Sequence, residues 1–237
     1  MKENEQLLEL YNSKWDVIKD ALTGFNDEVE EGGDSDNMVT NPLLIQIDEK
    51  YANAELKIMF FGQETNWWGP AFNGEIEPII QIYKGFFLKD EYKKYGKPFW
   101  NGIDLMKDIN KKNINKSIGY VWNNLVKIGR CSEGFPELSH KFTVKSFNVI
   151  RDEIRILKPD ILIFLSGPNY DSLIAESLGD YTESEIDNFK TRQLCELIFK
   201  EDLGIKKALR TYHPRYLRMS KTTDEYFNVI GNEIKCL

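Results

Sequence analysis

The sequence has few residues able to staple a chain or ligate a metal. Its three cysteines, Cys131, Cys195 and Cys236, are widely spaced and form no CxxC pair, so neither a disulfide framework nor a cysteine-built metal site is encoded. Histidine occurs only at His140 and His213, and no His/Cys/Asp cluster has metal-ligand spacing; no cofactor is expected. No stretch reaches the roughly 18 uninterrupted apolar residues of a membrane span, and no leader-like segment opens the chain, so a cytoplasmic location without a membrane partner is expected. Positive charge is short as well. With 31 Lys and Arg against 38 Asp and Glu, the formal charge of −7 argues against a protein that grips nucleic acid by bulk charge and leaves room only for a local basic rim.

What is present points to an α/β core. At 237 residues the chain is long enough for one sizeable core, and a single domain over 1–237 is expected, with 1–50 as a helical extension and acidic loop. Leu56-Lys57-Ile58-Met59-Phe60-Phe61-Gly62 is a largely apolar run, as in a strand covered on both faces by helices. In such sheets ligands sit beyond the carboxyl ends of the strands, so Gln63 to Trp68 would line a pocket: a carboxylate able to act as base, two amides able to read a heterocycle edge, and two indoles able to stack. An ordinary strand-to-loop turn carries comparable weight for this stretch alone.

Other segments fall into place around it. Leu7, Leu8, Tyr11, Trp15, Ile18 and Leu22 make a helical stripe, and the acidic 26–37 stretch reads as a mobile loop. Helical spacing predicts helices over 77–95, 99–109, 142–157, 169–178, 186–199 and 224–234. Asn123 and Asn124 interrupt an apolar strand, where Asn is disfavoured. They serve either a turn held by side-chain hydrogen bonds or an amide shown to a ligand, the turn being the commoner use. Ile161 to Leu165 is a second apolar strand closed by Ser166-Gly167-Pro168, and His213-Pro214 ends a third in a turn rich in Arg and Tyr. His140, in a Ser/Lys context, is expected at the surface, and a lone His-Pro is itself more often a surface feature than a site.

Gly62-Gln63-Glu64, Asn124-Leu125-Val126-Lys127, Lys158-Pro159-Asp160 through Gly167, and His213-Pro214 with Leu217 together resemble the uracil-DNA glycosylase superfamily in order and approximate spacing. The resemblance covers Leu56 to the carboxyl terminus and is closest from Asn124 to Leu173. It implies a three-layer α/β/α sandwich around a parallel sheet of about four strands. Glu64 stands where the family has a water-positioning Asp, and Thr65 and Asn66 replace a Pro-Tyr pair that excludes 5-methylated bases. The cysteines of the iron–sulfur members are absent, so no cluster is implied.

The implied activity is DNA repair by base excision, hydrolysing the N-glycosidic bond of uracil or another altered base. The resemblance assigns catalysis to Glu64, His213 and Asn66. Base binding falls to Gly62, Gln63, Asn124 and Trp67 or Trp68. DNA contacts fall to Gly167, Arg215, Arg218 and Leu217, the last as a wedge filling the gap left by an extruded nucleotide, with Arg210 and Lys221 as further phosphate contacts. A solvated charged turn is the plain alternative for these cations. DNA or a nucleotide is the expected partner and a monomer the expected state. The alternatives are a non-catalytic nucleic-acid or nucleotide binder of the same fold and a hydrolase of small nucleosides.

Overall fold

The computed structural model describes residues 1–237 except 66, 70, 73, 138, 139 and 141–145. The chain runs through α1 (Lys2–Glu31), β1 (Val39–Pro42), α2 (Glu49–Ala52), β2 (Leu56–Gly62), α3 (Ile76–Tyr83), α4 (Pro98–Asn113), β3 (Ile118–Asn124) and β4 (Ile128–Arg130). It continues through α5 (Ile150–Leu157), β5 (Ile161–Phe164), α6 (Asp171–Leu178), β6 (Tyr181–Glu185), β7 (Leu194–Phe199), β8 (Lys207–Thr211), α7 (Pro214–Ser220) and α8 (Thr223–Lys235).

The apolar runs form strands because helices cover both faces. All four residues of β5 and all but Lys57 in β2 are buried. Among the described residues the central sheet has the order β3-β2-β5-β8-β7-β6, in which the first four strands are mutually parallel and β7 and β6 run antiparallel. Helices flank it: α4 packs with α7 and α8, and α1 with α5. β1 and β4 form a separate antiparallel ribbon. Because the four parallel strands share a direction, their carboxyl ends, Gly62, Asn124, Phe164 and Thr211, lie on one edge.

Several sequence expectations are corrected here. The four parallel strands expected are present, and two antiparallel strands extend the sheet to six. The segment 186–199, expected helical, contributes β7 and pairs with β6 as a hairpin. Acidic residues 26–31 continue α1 instead of forming a loop, because Asn26 turns inward: its Oδ1 accepts from Val39 N–H at 2.7 Å and its Nδ2 donates to Val39 O at 3.2 Å. The expected helix over 77–95 breaks into α3, a π-turn at Lys84–Leu88 and a 3-10 turn at Glu91–Tyr95. The one expected over 142–157 breaks at 147–149, which are not helical, before the helix Ile150–Leu157, and 142–145 lie outside the described residues. His140, expected at the surface, has a side chain only 17% exposed and faces Glu176 at 3.6 Å.

Candidate active site at the sheet edge

The parallel register pairs Gly62 at the end of β2 with Asn124 at the end of β3. The match continues one step beyond, where Leu125 N–H donates to Gly62 O at 3.2 Å and Val126 N–H to Gln63 O at 2.9 Å. A Cβ on residue 62 would lie 2.4 Å from Asn124 Oδ1 and 3.0 Å from Phe99 Cζ, so only glycine lets that amide and that ring meet over the strand end.

The two asparagines are bonded differently. Asn123 is structural: its Oδ1 accepts from Asn124 N–H at 2.9 Å and from Lys127 Nζ at 2.8 Å, while its Nδ2 donates to Glu153 at 2.8 Å. Asn124 is 1% exposed and its Oδ1 accepts from Trp122 Nε1 at 3.1 Å. Since an indole N–H can only donate, this bond fixes which way the amide faces. Asn124 Nδ2 is left buried with no hydrogen-bond partner among the described residues. A buried donor without a partner costs about 1–3 kcal/mol, a cost that a ligand acceptor would remove.

His213 closes the same edge from β8. Its ring stacks on Phe99 with centroids 5.5 Å apart and planes at 22°. As N-cap of α7 it accepts Arg215 N–H on Nδ1 at 3.1 Å, which places the neutral ring's proton on Nε2. Burial, with a smaller push from Arg215, lowers its pKa to about 4, so the ring is uncharged at neutral pH. Gly167 bonds Thr211 O through its N–H at 2.9 Å, and its missing Cβ would lie 4.0 Å from His213 N. Gln63 Nε2 donates to Ser166 O at 2.7 Å, clamping the end of β2 to that of β5.

Glu64 follows at once. Tyr170, in the turn after Gly167, donates its hydroxyl to Glu64 Oε2. Burial raises the Glu64 pKa above the ordinary value, with the Tyr170 hydrogen bond and the Arg130 charge pulling the other way. The same burial, with the Glu64 charge, pushes the Tyr170 phenol well above its usual range and keeps it a donor. Among the described residues, no group of three or more His, Cys, Asp or Glu is gathered to hold a metal ion.

The edge therefore brings Gly62, Gln63, Asn124, Gly167 and His213 together through Phe99 and the strand-end hydrogen bonds, with Glu64 joined to it through Tyr170. The sequence model of the Uracil DNA glycosylase superfamily matches residues 49–235, from α2 into α8. The chain belongs to that superfamily. No curated protein matches it. Membership implies a DNA-related substrate at a coarse level, and α1 lies before the matched region. No helix among the described residues is long and apolar enough to cross a membrane.

Within this superfamily framework some residue assignments change. Leu217 is 0% exposed and belongs to the core, so it is not placed to enter a duplex; α7 turns Tyr216 and Met219 outward instead. Arg210 is 1% exposed and bonded to Asp171 and Glu183, so its charge is spent inside the protein rather than on phosphate. Trp68 is 5% exposed and sits edge-on to Trp122 and to Phe86, at 5.4 Å from each, filling the core rather than facing a base. Trp67 is 64% exposed with φ of +56°. Arg215, Arg218 and Lys221 are exposed, and Asn66 lies outside the described residues.

Three neighbours of the site escaped the sequence reading. Phe99 carries a weak signal, an aromatic beside the Trp100, Ile103 and Met106 stripe at the start of a helix. Tyr170 follows a strand-end Gly-Pro at the same sheet edge. Trp122 had no signal apart from its place two residues before Asn124.

Proposed function

We propose that this superfamily member is a DNA glycosylase that hydrolyses the N-glycosidic bond of uracil or another altered base whose recognised edge carries a carbonyl oxygen. The observation that carries the reading is the buried, unpartnered Asn124 Nδ2 beside the stacked Phe99 and His213 rings. A buried donor close to a flat apolar ring suits a planar heterocycle with an acceptor on its rim.

In this reading the extruded base lies at the Phe99 ring with its carbonyl on Asn124 Nδ2, and Gly62 and Gln63 form the strand-end floor. Trp67 flanks the entrance, while Gly167, Arg215 and Arg218 border the DNA strand. The C1′–N bond breaks with both electrons leaving on the base, and negative charge grows on its ring carbonyl. Neutral His213 donates Nε2–H to that oxygen, a contribution that for one such donor amounts to about 10²–10³ in rate. Water adds to C1′ and gives its proton to Glu64, whose raised pKa makes it a better proton acceptor than a solvated carboxylate.

Single-turnover base release and oligonucleotide binding test these roles together. Glu64→Gln keeps the volume and loses the charge, so release is expected to collapse while binding holds. His213→Ala should cost on the order of 10²-fold or more. Unchanged rates in both variants would remove the residue roles. Oligonucleotide binding without release of any base would move the protein to the non-catalytic reading.

A further inference from the structure

We infer that Tyr11, on α1, is a positioning residue that holds Asn124 in place through Glu153 and Asn123. The superfamily match begins at residue 49, so α1 is a working part of the site that lies outside the matched region. This rests on the reading of Asn124 as the amide that takes the base, and adds where the placement of that amide comes from.

Each link is a buried hydrogen bond. Tyr11 donates its hydroxyl to Glu153 Oε1 at 2.7 Å, and Glu153 Oε2 accepts from Asn123 Nδ2 at 2.8 Å. A carboxylate only accepts, so this contact turns the nitrogen of the Asn123 amide towards α5 and leaves its oxygen for the Asn124 backbone N–H, which it accepts at 2.9 Å. Tyr11, Glu153 and Asn123 are all buried, and away from water such a chain has few other partners to relax onto. Burial and the Glu153 charge hold the Tyr11 phenol far above its usual pKa range, so it remains a donor. Lys127 Nζ shares Glu153 Oε1 at 2.8 Å, so without the phenol the carboxylate is free to rotate onto the lysine and away from Asn123.

The helix has other means of docking. It buries Leu7, Trp15, Ile18 and Leu22 in the core. Three further polar side chains of α1 bond main-chain groups: Asn4 pairs with both groups of Ile47, Trp15 Nε1 donates to Gly74 O at 3.0 Å, and Asn26 pairs with Val39. Tyr11 differs from these. It accepts Ile45 N–H at 3.1 Å, yet spends its one proton on a carboxylate 142 residues away. That carboxylate lies on α5 and bonds the residue that precedes the strand-end amide paired with Gly62. The phenol is thus directed at the site from behind rather than at the seat of its own helix.

Heteronuclear NMR with isotope-labelled asparagine and single-turnover release of uracil from an oligonucleotide test this on the full chain. Tyr11→Phe keeps the ring and loses the hydroxyl. Leu22→Ala, on the same helix and equally buried, serves as the control, because truncating a buried leucine destabilises a core at least as much as losing one hydroxyl does. Both variants are measured at a temperature where their unfolding curves show them folded. In Tyr11→Phe the Asn124 backbone amide proton should move upfield as its bond to Asn123 lengthens. Release at saturating enzyme should fall on the order of tenfold, with oligonucleotide affinity held within about twofold. Leu22→Ala should leave the signal in place and the rate within about twofold of wild type. An unmoved Asn124 signal in Tyr11→Phe, an equal movement in Leu22→Ala, or a release rate no lower than that of the control would overturn the inference. If the wild type releases no base, the proposed function falls, and the Asn124 signal alone decides whether Tyr11 positions it.

Discussion

Gly62 and Asn124 face each other on the last rung of two parallel strands, so closely that a methyl group on residue 62 would lie 2.4 Å from the Asn124 amide oxygen. Gly62→Ala must therefore displace Asn124, Phe99 or both. Because β2 and β3 are otherwise untouched, the fold should survive with a loss of about 1–3 kcal/mol from overpacking. Base release should fall by a larger factor than that destabilisation explains, which thermal unfolding and single-turnover kinetics on the same variant would establish.

Trp122 decides what Asn124 presents. Its Nε1–H holds Oδ1, leaving the amide's donor for a ligand. Trp122→Phe removes that constraint and lets the amide turn over. The expected outcome is reduced discrimination between bases showing a carbonyl and bases showing an amino group at the recognised edge, with a smaller effect on the rate for the best substrate. Competition between free uracil and free cytosine for binding measures this directly.

If the proposed chemistry holds, acid should abolish base release through Glu64 rather than through histidine. Burial raises the Glu64 pKa above the ordinary carboxylate value, and the base must be ionised, so the rate should rise with pH through a midpoint above 4.5. His213 stays neutral down to about pH 4. Tyr170→Phe removes a hydrogen bond that favours the carboxylate, so its acid limb should move to higher pH. For stability the sign follows from the unfolded state taking up the proton first. The His213 contribution is fully present above pH ~6.5 and is lost as pH falls towards the folded value, by about 2 kcal/mol between pH 7 and pH 5. Urea unfolding of wild type against His213→Asn at those two pH values should show that difference.

A buried network supports the Asn124 strand end from behind. Glu153, 0% exposed, accepts from Lys127 Nζ at 2.8 Å, Asn123 Nδ2 at 2.8 Å and the Tyr11 hydroxyl at 2.7 Å, and Tyr11 also accepts Ile45 N–H at 3.1 Å. Burial pulls the Lys127 pKa down, with Glu153 opposing it. Tyr11→Phe should cost about 1–3 kcal/mol by leaving two buried groups short of a partner. Lys127→Met should cost about 3–5 kcal/mol by stranding the carboxylate, and adding Glu153→Gln, which removes the charge but keeps an acceptor for Tyr11 and Asn123, should recover part of that loss. Denaturant unfolding of the three variants checks the order.

The strands that build the edge were legible because both of their faces are covered: β2 and β5 are continuous apolar runs, and a two-sided burial leaves that mark. β6 leaves none, since Thr182, Glu183 and Glu185 are exposed, and the spacing over 186–199, which contains β7, is that of a helix. The carboxyl-terminal turns of α1 looked too acidic to order, yet the Asn26 side chain anchors them to Val39, a contact no local pattern reports. Leu217 shows the same limit on one helix. Its neighbours Tyr216 and Arg218 are equally plausible inward residues until the rotation of α7 is known. Tyr170 and Glu64 meet across 106 residues, and only the return of two strands to one edge brings them together.

Release of free base by the wild-type protein tests the central claim most directly. The substrate is a uracil-containing oligonucleotide, single-stranded and duplex, assayed in chelator beside hypoxanthine- and alkylated-base substrates and free nucleosides. The expected result is release of free base with an abasic site left in the strand, at a rate the chelator does not change. No release from any oligonucleotide, or release only from free nucleosides, would contradict it.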